Sequence, residues 1–159
     1  MISTQIMPHL LADMIWPAAI LESRLLSVAP ISAGLFAEWV ILSFCGFGLS
    51  WKKAIIVDVV MNTASSVVGI FLIPILGIIW EFFPGSVLYP LLKIGTFNPI
   101  TWVATFFLSV GGSTLIETAV VRWVFKITVV WKRFGLLSLA NFLSTAIAFA
   151  SLWTHPPQF

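Results

Sequence analysis

The chain has 159 residues, of which 60% are hydrophobic and only 9% are charged, and its formal net charge is +2. A soluble domain needs far more charge on its surface, so the composition excludes an ordinary soluble protein and favours a single membrane domain spanning 1–159. The lone cysteine, Cys45, excludes an internal disulfide and any metal or iron–sulfur site built from several cysteines.

The first predicted element is the N-terminal segment, residues 1–27. Its apolar stretch, residues 8–26, is interrupted by His9, Asp13, Pro17, Glu22 and Arg24. A membrane span needs about 20 mostly apolar residues, so we expect a broken helix lying in the outer membrane interface. A fifth span over residues 8–26 is the alternative.

Residues 28–80 form the first predicted helical hairpin, with one span over 31–49 and a second over 54–80. Lys52 and Lys53 lie in the turn between them. Pro74 falls inside the second span, where its ring removes a helix hydrogen bond, so we expect it to kink or end that helix.

Residues 81–99 contain three prolines and are predicted to connect the hairpins as an irregular segment on the outer side. We expect it to lie along the outer surface or to dip back into the bundle, where irregular backbone must be covered by protein or water. Residues 100–153 form the second predicted hairpin, with spans over 100–125 and 134–153. Residues 154–159 are then a short tail. The prediction is therefore four spans joined by one outer connection and two basic turns.

The two hairpins carry the same polar residues in the same order. The pattern is an acid, a Trp-Lys-basic turn, and an Asn followed by small residues. It consists of Glu38, Trp51, Asn62, Ser65, Ser66 and Gly69 in the first hairpin, and of Glu117, Trp131, Asn141, Ser144, Thr145 and Ala148 in the second. Parallel repeats are related by a pseudo-twofold axis along the membrane normal. We therefore predict an all-α four-helix bundle built from two parallel hairpins.

Small and polar residues form one stripe on each returning helix. Such residues let helix backbones approach closely and form hydrogen bonds across helices. We interpret the stripes as the packing seam of the bundle, and a polar cavity lined by the same residues is the alternative. The predicted packing residues are Ser65, Ser66, Gly69, Ser144, Thr145 and Ala148.

The charged residues predict the orientation. Basic residues collect in segments 50–53 and 122–133, and such loops face the cytoplasm. The C-terminus is then outside, and we predict a plasma membrane location, in a bacterial inner membrane. Amphipathic indole rings prefer the two membrane boundaries. The predicted interface anchors are Trp51, Trp80, Trp102, Trp131 and Trp153.

Three acids fall inside predicted spans: Glu38, Asp58 and Glu117. A charge near the bilayer centre costs on the order of 2.5–3.5 kcal/mol, so each acid must be neutral, paired or solvated there. In a structural interpretation, each Glu bonds the Asn of its own hairpin. Counted from the turn tryptophans, Glu38 and Asn62 lie at similar depth, and Glu117 and Asn141 differ by about 6 Å.

In a functional interpretation, the same acids form a proton or cation path, with Asn62 and Asn141 as coordinating amides. Neither histidine, His9 or His155, lies inside a span, and no catalytic or nucleotide-binding motif is present. We therefore predict neither an enzyme nor a metal site, and no cofactor. A bound lipid, quinone or pigment near segment 81–99 is an alternative.

The leading functional hypothesis is a non-enzymatic accessory or assembly subunit of a larger membrane complex, because the chain is small and has almost no soluble mass. The expected partners are the lipid bilayer and other membrane subunits or further copies of the chain, with no nucleic acid. The alternative is a small proton- or cation-coupled transporter or channel that acts as a homo-oligomer through its intramembrane acids.

Overall fold

The computed structural model describes residues 17–92 and 99–154, and every regular element within these ranges is helical. Residues 17–25 form helix α1. The following helices are α2 (Val28–Val40), α3 (Trp51–Trp80), α4 (Ser86–Leu92), α5 (Pro99–Trp123) and α6 (Trp131–Thr154). Two π-helical turns, Ile41–Cys45 and Glu81–Gly85, continue α2 and α3. Predictions that concern His9, Asp13, His155 or the side chain of Trp153 lie outside the described part.

The prediction of four apolar spans in an all-helical protein is confirmed. The candidate spans are Val28–Cys45, Trp51–Leu92, Pro99–Trp123 and Trp131–Leu152. Helices suit these sequences because, in an apolar medium, every backbone N–H and carbonyl must be bonded within its own segment. The observed bounds differ by a few residues from those predicted, except at the end of the second span.

The second span is much longer than the sequence predicted. Helical structure continues from Trp51 to Leu92, which is 42 residues, whereas the expected outer connection began at residue 81. At about 1.5 Å per residue this is twice the thickness of a bilayer core, so its last turns extend past one crossing. Pro74 lies inside α3 and does not end it. A proline removes only one backbone donor, and a membrane helix tolerates that loss.

The four long helices pack in a ring. Helix α3 contacts α2 and α5, and α6 contacts α5 and α2. Small residues permit the close approaches: a Cβ atom built on Gly34 of α2 would lie 3.3 Å from the Cβ of Ser144 on α6. The apolar core lies toward one end, where Leu42, Val57, Met61 and other buried side chains form one cluster.

The two hairpin turns, residues 46–50 and 124–130, lie together at that end of the bundle, which we call the turn end. Arg133 at the start of α6 joins them, because its Nε donates to the carbonyl of Gly46 at 2.9 Å and its Nη1 donates to the carbonyl of Thr128. Its guanidinium also lies over the ring of Phe47, at 4.9 Å from the centroid. Both basic turns therefore share one end of the molecule.

Helix α1 closes the opposite end, which we call the α1 end. It folds back on the bundle after a turn at residues 26–27, and its side chains at Ala18, Leu21 and Glu22 are buried. A Cβ atom built on Gly69 of α3 would lie 3.2 Å from Oε1 of Glu22. The glycine therefore makes the room that the Glu22 carboxyl occupies.

Candidate functional site

The first hairpin brings three of the predicted polar residues together. Nδ2 of Asn62 donates to Oε2 of Glu38 at 2.5 Å and to Oδ1 of Asp58 at 3.0 Å. The Glu38 and Asp58 carboxyls also lie within hydrogen-bonding reach of each other. Two carboxyl groups can share a hydrogen bond only when one of them carries a proton. Glu38 and Asp58 are 1% and 4% exposed, so bulk water does not stabilise a charge on either.

The second hairpin makes the same contact. Nδ2 of Asn141 donates to Oε2 of Glu117 at 2.5 Å, and Glu117 is 1% exposed. Each Glu–Asn pair is 24 residues apart in sequence. The expected depth difference of about 6 Å in the second hairpin does not separate its pair. The turn between α5 and α6 is longer than the turn before α3, so the turn tryptophans do not mark equal depths.

The orientation of both amides follows from their surroundings. Nδ2 of Asn62 has three oxygen acceptors, the third being the carbonyl of Asp58 at 3.1 Å. Nδ2 of Asn141 has two, including the carbonyl of Leu137 at 3.2 Å. An atom with several acceptors around it must be the NH₂ group, because an amide oxygen there would repel them. Both amides therefore present donors to the carboxyls.

The two pairs meet beside a small polar cavity of about 50 Å³ between the helices. This space holds a few water molecules, at ~10–15 Å³ for each. Polar residues from α1, α3, α5 and α6 contribute to its walls, whereas α2 contributes Pro30, Ile31 and Gly34. The polar residues include Glu22, Asn62, Ser65, Ser113, Glu117 and Asn141, and no Lys or Arg is among the described lining residues.

Two carboxyl oxygens of the cavity residues have no hydrogen-bond partner in the described part of the chain: Oε1 of Glu117 and Oε2 of Glu22. Ser65 lies close to Glu117, but its single hydroxyl proton is donated to the carbonyl of Asn62 at 3.1 Å. A buried polar atom without a partner costs free energy, and it is normally satisfied by water or by a bound proton. The cavity offers room for both.

Glu22 is the residue of this site that the sequence analysis assigned to an interfacial helix. Burial raises the pKa of its carboxyl from the ordinary 4.5 to about 7. The fold-back of α1 onto Gly69 places it in the cavity wall, together with Leu25 and Leu26. No periodic pattern in the sequence marks this fold-back. The pairing of this acid with Gly69 is evident only in the three-dimensional structure.

The predicted packing residues lie along the inner faces of α3 and α6. Ser65, Gly69, Thr145 and Ala148 are buried, whereas Ser66 and Ser144 are half-buried and line the cavity. The seam and the cavity are therefore formed by the same stripes. The two interpretations that the sequence left open apply to different parts of one surface.

The predicted interface tryptophans fall at helix ends. Trp51 and Trp131 begin α3 and α6 at the turn end, and they are 59% and 87% exposed. Trp80 and Trp102 lie near the end of α3 and the start of α5, and both are half-buried. The two pairs therefore lie at opposite ends of the bundle, and their role as anchors at the membrane boundaries stays a prediction.

A further buried acid, Glu81, lies apart from the cavity. Its Oε1 accepts from the hydroxyl of Tyr89 at 2.7 Å and from Thr101 at 3.4 Å. Nε1 of Trp80 donates to the Tyr89 oxygen at 3.1 Å. This network holds the π-turn and α4 against the start of α5. Nothing in the sequence indicates this network, because the prolines of segment 81–99 predict an irregular connection.

Among the described residues, no group of three or more His, Cys, Asp or Glu has the arrangement of a metal site. Comparisons of this chain with protein families, with curated proteins and with solved structures find no match. The chemistry of the cavity therefore rests on its own residues.

Proposed function

We propose that the protein is a small proton-translocating or proton-coupled membrane transporter, and that the acids around the central cavity carry the proton. The observation that supports it is a group of four buried carboxyls. Those of Glu22 and Glu117 line the cavity, and those of Glu38 and Asp58 accept hydrogen bonds from Asn62 in its wall. No basic side chain is among the described residues of that wall. Intramembrane acids that face a bundle interior are typical of proton relays.

The amides favour a proton over a metal cation. Na⁺, Mg²⁺ and Ca²⁺ need several oxygen ligands directed at one point. Here Asn62 and Asn141 direct N–H groups at the carboxyls, which compensates a carboxylate directly but repels a cation. The contact between Glu38 and Asp58 needs a proton of its own. A proton moving between carboxyls and a few waters fits this arrangement.

The described walls of the cavity differ between its two ends. Toward the α1 end its wall contains the Glu22 carboxyl, whereas toward the turn end the apolar cluster of Val57, Met61, Val121 and their neighbours separates the acids from the basic turns. A proton therefore reaches the acids from the α1 end. Its release at the turn end requires a second conformation in which the apolar cluster opens.

The test is proton flux into vesicles that contain the purified protein and a trapped pH-sensitive dye, driven by a pH gradient and a potassium-valinomycin potential. Glu117→Gln is expected to abolish flux, because glutamine keeps the contact with Asn141 but cannot take up or release a proton. Glu38→Gln is expected to do the same. Thermal unfolding in detergent checks that both variants remain folded.

Glu81→Gln is the matched control, since Glu81 is also buried but lies in the separate network with Tyr89 and Thr101. It should leave flux unchanged. Wild-type flux no greater than that of empty vesicles would refute the proposal. A Glu117→Gln protein that transports normally would refute it as well. If Glu117→Gln and Glu38→Gln instead prevent the protein from accumulating, the Glu–Asn pairs are structural.

The remaining architecture that we propose is a duplicated hairpin, with the turn end in the cytoplasm of a bacterial cell. Several observations support it. The two Glu–Asn hydrogen bonds have the same spacing, and the contact of α3 with α5 corresponds to that of α6 with α2 under exchange of the hairpins. The basic residues of both turns share one end, as the positive-inside rule requires. In this orientation α1 lies at the outer face.

An accessory role in a larger complex, the leading hypothesis from the sequence, remains a prediction that concerns partners and not this cavity. Native mass spectrometry of the protein extracted gently from its own membrane separates the two. A homo-oligomer agrees with transport, and a fixed stoichiometry with larger subunits agrees with the accessory role.

A further inference from the structure

We propose that the turn end of helices α5 and α6 holds one anionic phospholipid, with its phosphate between Arg122 and Lys126 and its acyl region along an apolar groove. Two adjoining recesses share Val129 and carry this inference. This lipid site would lie on a surface away from the small polar cavity, and the inference does not depend on the proposed transport.

The recess nearer the turn is basic. Arg122 and Lys126 both line it and both are exposed, and none of the described acidic residues lines either recess. The backbone places the two basic residues on one side of the turn. Lys126 has a φ of 57°, and this left-handed residue lets the N–H of Ile127 bond to the carbonyl of Val121 at 3.1 Å. The loop therefore folds back on α5 beside Arg122.

The second recess is an apolar groove of about 410 Å³, which lies within the size range of small-molecule sites of roughly 300–1,000 Å³. Leu115, Val130 and Phe134 line it together with Trp131, whose ring meets that of Phe134 edge to face at 5.9 Å. Leu115 and Trp131 are 61% and 87% exposed. The groove is open to the surroundings of the bundle, where lipid would reach it.

Along one face of α5, the side chains become more polar toward the turn end. Leu115, Thr118 and Arg122 follow at intervals of three and four residues, so they lie on the same face over about 10 Å. Oγ1 of Thr118 is buried and has no hydrogen-bond partner among the described residues. The sequence of apolar side chain, free hydroxyl and guanidinium matches an acyl chain, a glycerol ester and a phosphate. An arginine fork binds a phosphate through two parallel hydrogen bonds.

The corresponding face of the first hairpin offers an internal comparison. At the same spacing it carries Phe36, Trp39 and Ser43, with no cation. Lys52 and Lys53 lie at the turn end too, but they line neither recess. General attraction of anionic lipid to basic residues would involve the basic residues of both hairpins. A built site would involve only the second.

The experiment uses full-length protein in vesicles of equal amounts of phosphatidylcholine and phosphatidylglycerol, extracted gently and examined by native mass spectrometry. About one phosphatidylglycerol per chain should remain bound to the wild type, as expected for a basic pocket between membrane helices. The double variant Arg122→Gln/Lys126→Gln should lose it. The control Lys52→Gln/Lys53→Gln, with the same change in net charge, should keep it.

Two conservative substitutions, Thr118→Val and its control Thr63→Val, test the same site if the double variant does not fold. Thr118→Val keeps the side-chain shape and should lower retention severalfold, whereas Thr63→Val should not, because the Thr63 hydroxyl is exposed and bonded to the carbonyl of Val59. Retention of phosphatidylcholine equal to that of phosphatidylglycerol would overturn the proposal. Wild-type protein without bound lipid would also overturn it. So would an equal loss of bound phosphatidylglycerol in Arg122→Gln/Lys126→Gln and in the control Lys52→Gln/Lys53→Gln.

Discussion

At the scale of single residues, the main chemical feature is an asparagine amide beside the glutamate of each hairpin. Asn62 and Asn141 each donate to a glutamate in the candidate spans, and each donor also bonds a carbonyl of its own helix. The helix thus fixes the amide, and the amide fixes the carboxyl. Such preorganised donors hold an acid at low polarity without a cation.

Glu22 gives the protein a pH-dependent stability. Its pKa is about 7 in the folded protein against 4.5 ordinarily, so the folded state binds the Glu22 proton more tightly than the unfolded state does. The free energy of unfolding therefore falls as pH rises from about 4.5 to about 7. The loss is on the order of 1–2 kcal/mol, since water at the cavity screens part of the charge.

The measurement is chemical unfolding of wild type and Glu22→Gln in detergent at pH 5 and pH 8. The difference between the two proteins isolates Glu22 from Glu117, which lines the same cavity, and from Arg24 on its own helix. Glu22→Gln should be the more stable protein at pH 8 and close to wild type at pH 5. Ser23→Ala, on the exposed side of the same helix, should show no such shift. Equal pH dependence in wild type and Glu22→Gln would contradict the prediction.

At the scale of the elements, one glycine stabilises the fold and another weakens it. Gly48, in the turn before α3, has a φ of 62°, a left-handed conformation that costs other residues about 1–2 kcal/mol. Gly135, inside α6, meets no atom within 4 Å of an added Cβ, and a helical glycine is roughly 0.5–1 kcal/mol worse than alanine.

Gly48→Ala should therefore lower the melting temperature and Gly135→Ala should raise it. Each is the other's control, because both substitutions add one methyl group to a position without steric contact. Thermal unfolding followed by circular dichroism in detergent measures both. Shifts of the same sign in the two variants would contradict the assignment of the turn and of the helix.

Sequence predicted elements well where one physical rule dominates. Apolar length identified the four spans, and the spacing of Glu38 and Asn62 placed those two residues at one depth. It failed where two rules compete. Prolines 84 and 90 suggested an irregular connection, yet the π-turn and the bonds of Tyr89 keep that segment helical. The burial of Glu22 depends on the fold-back of α1, which no local pattern encodes.

At the scale of the whole molecule, Arg133 connects the turn of one hairpin to the turn of the other. It joins Gly46 of one turn to Thr128 of the other and lies over Phe47. Arg133→Gln should lower the free energy of unfolding by about 1–2 kcal/mol, because charged hydrogen bonds and a cation–π contact are lost. Arg133→Lys should recover only part of this, since a lysine cannot reproduce the planar fork.

Lys132→Gln is the control, because it removes the same charge from a neighbouring exposed residue outside the turn-to-turn contacts. Titration with urea in detergent measures the free energy of unfolding of all three variants under the same conditions. Urea is used because guanidinium would compete with the arginine side chain. If Lys132→Gln destabilises as much as Arg133→Gln, then net charge at the turn end, and not the joining of the turns, stabilises the bundle.

The apolar cluster at the turn end has an electrical consequence. Glu38 lies ten residues after Val28 and seven before Cys45, somewhat past the middle of its span. In the proposed transport, a proton that enters from the α1 end and stops at the apolar cluster would cross roughly half of the membrane potential, which is worth about 1 kcal/mol for every 100 mV. Occupancy of the acids would then respond to voltage as well as to pH, so an energised membrane alone would load or unload them.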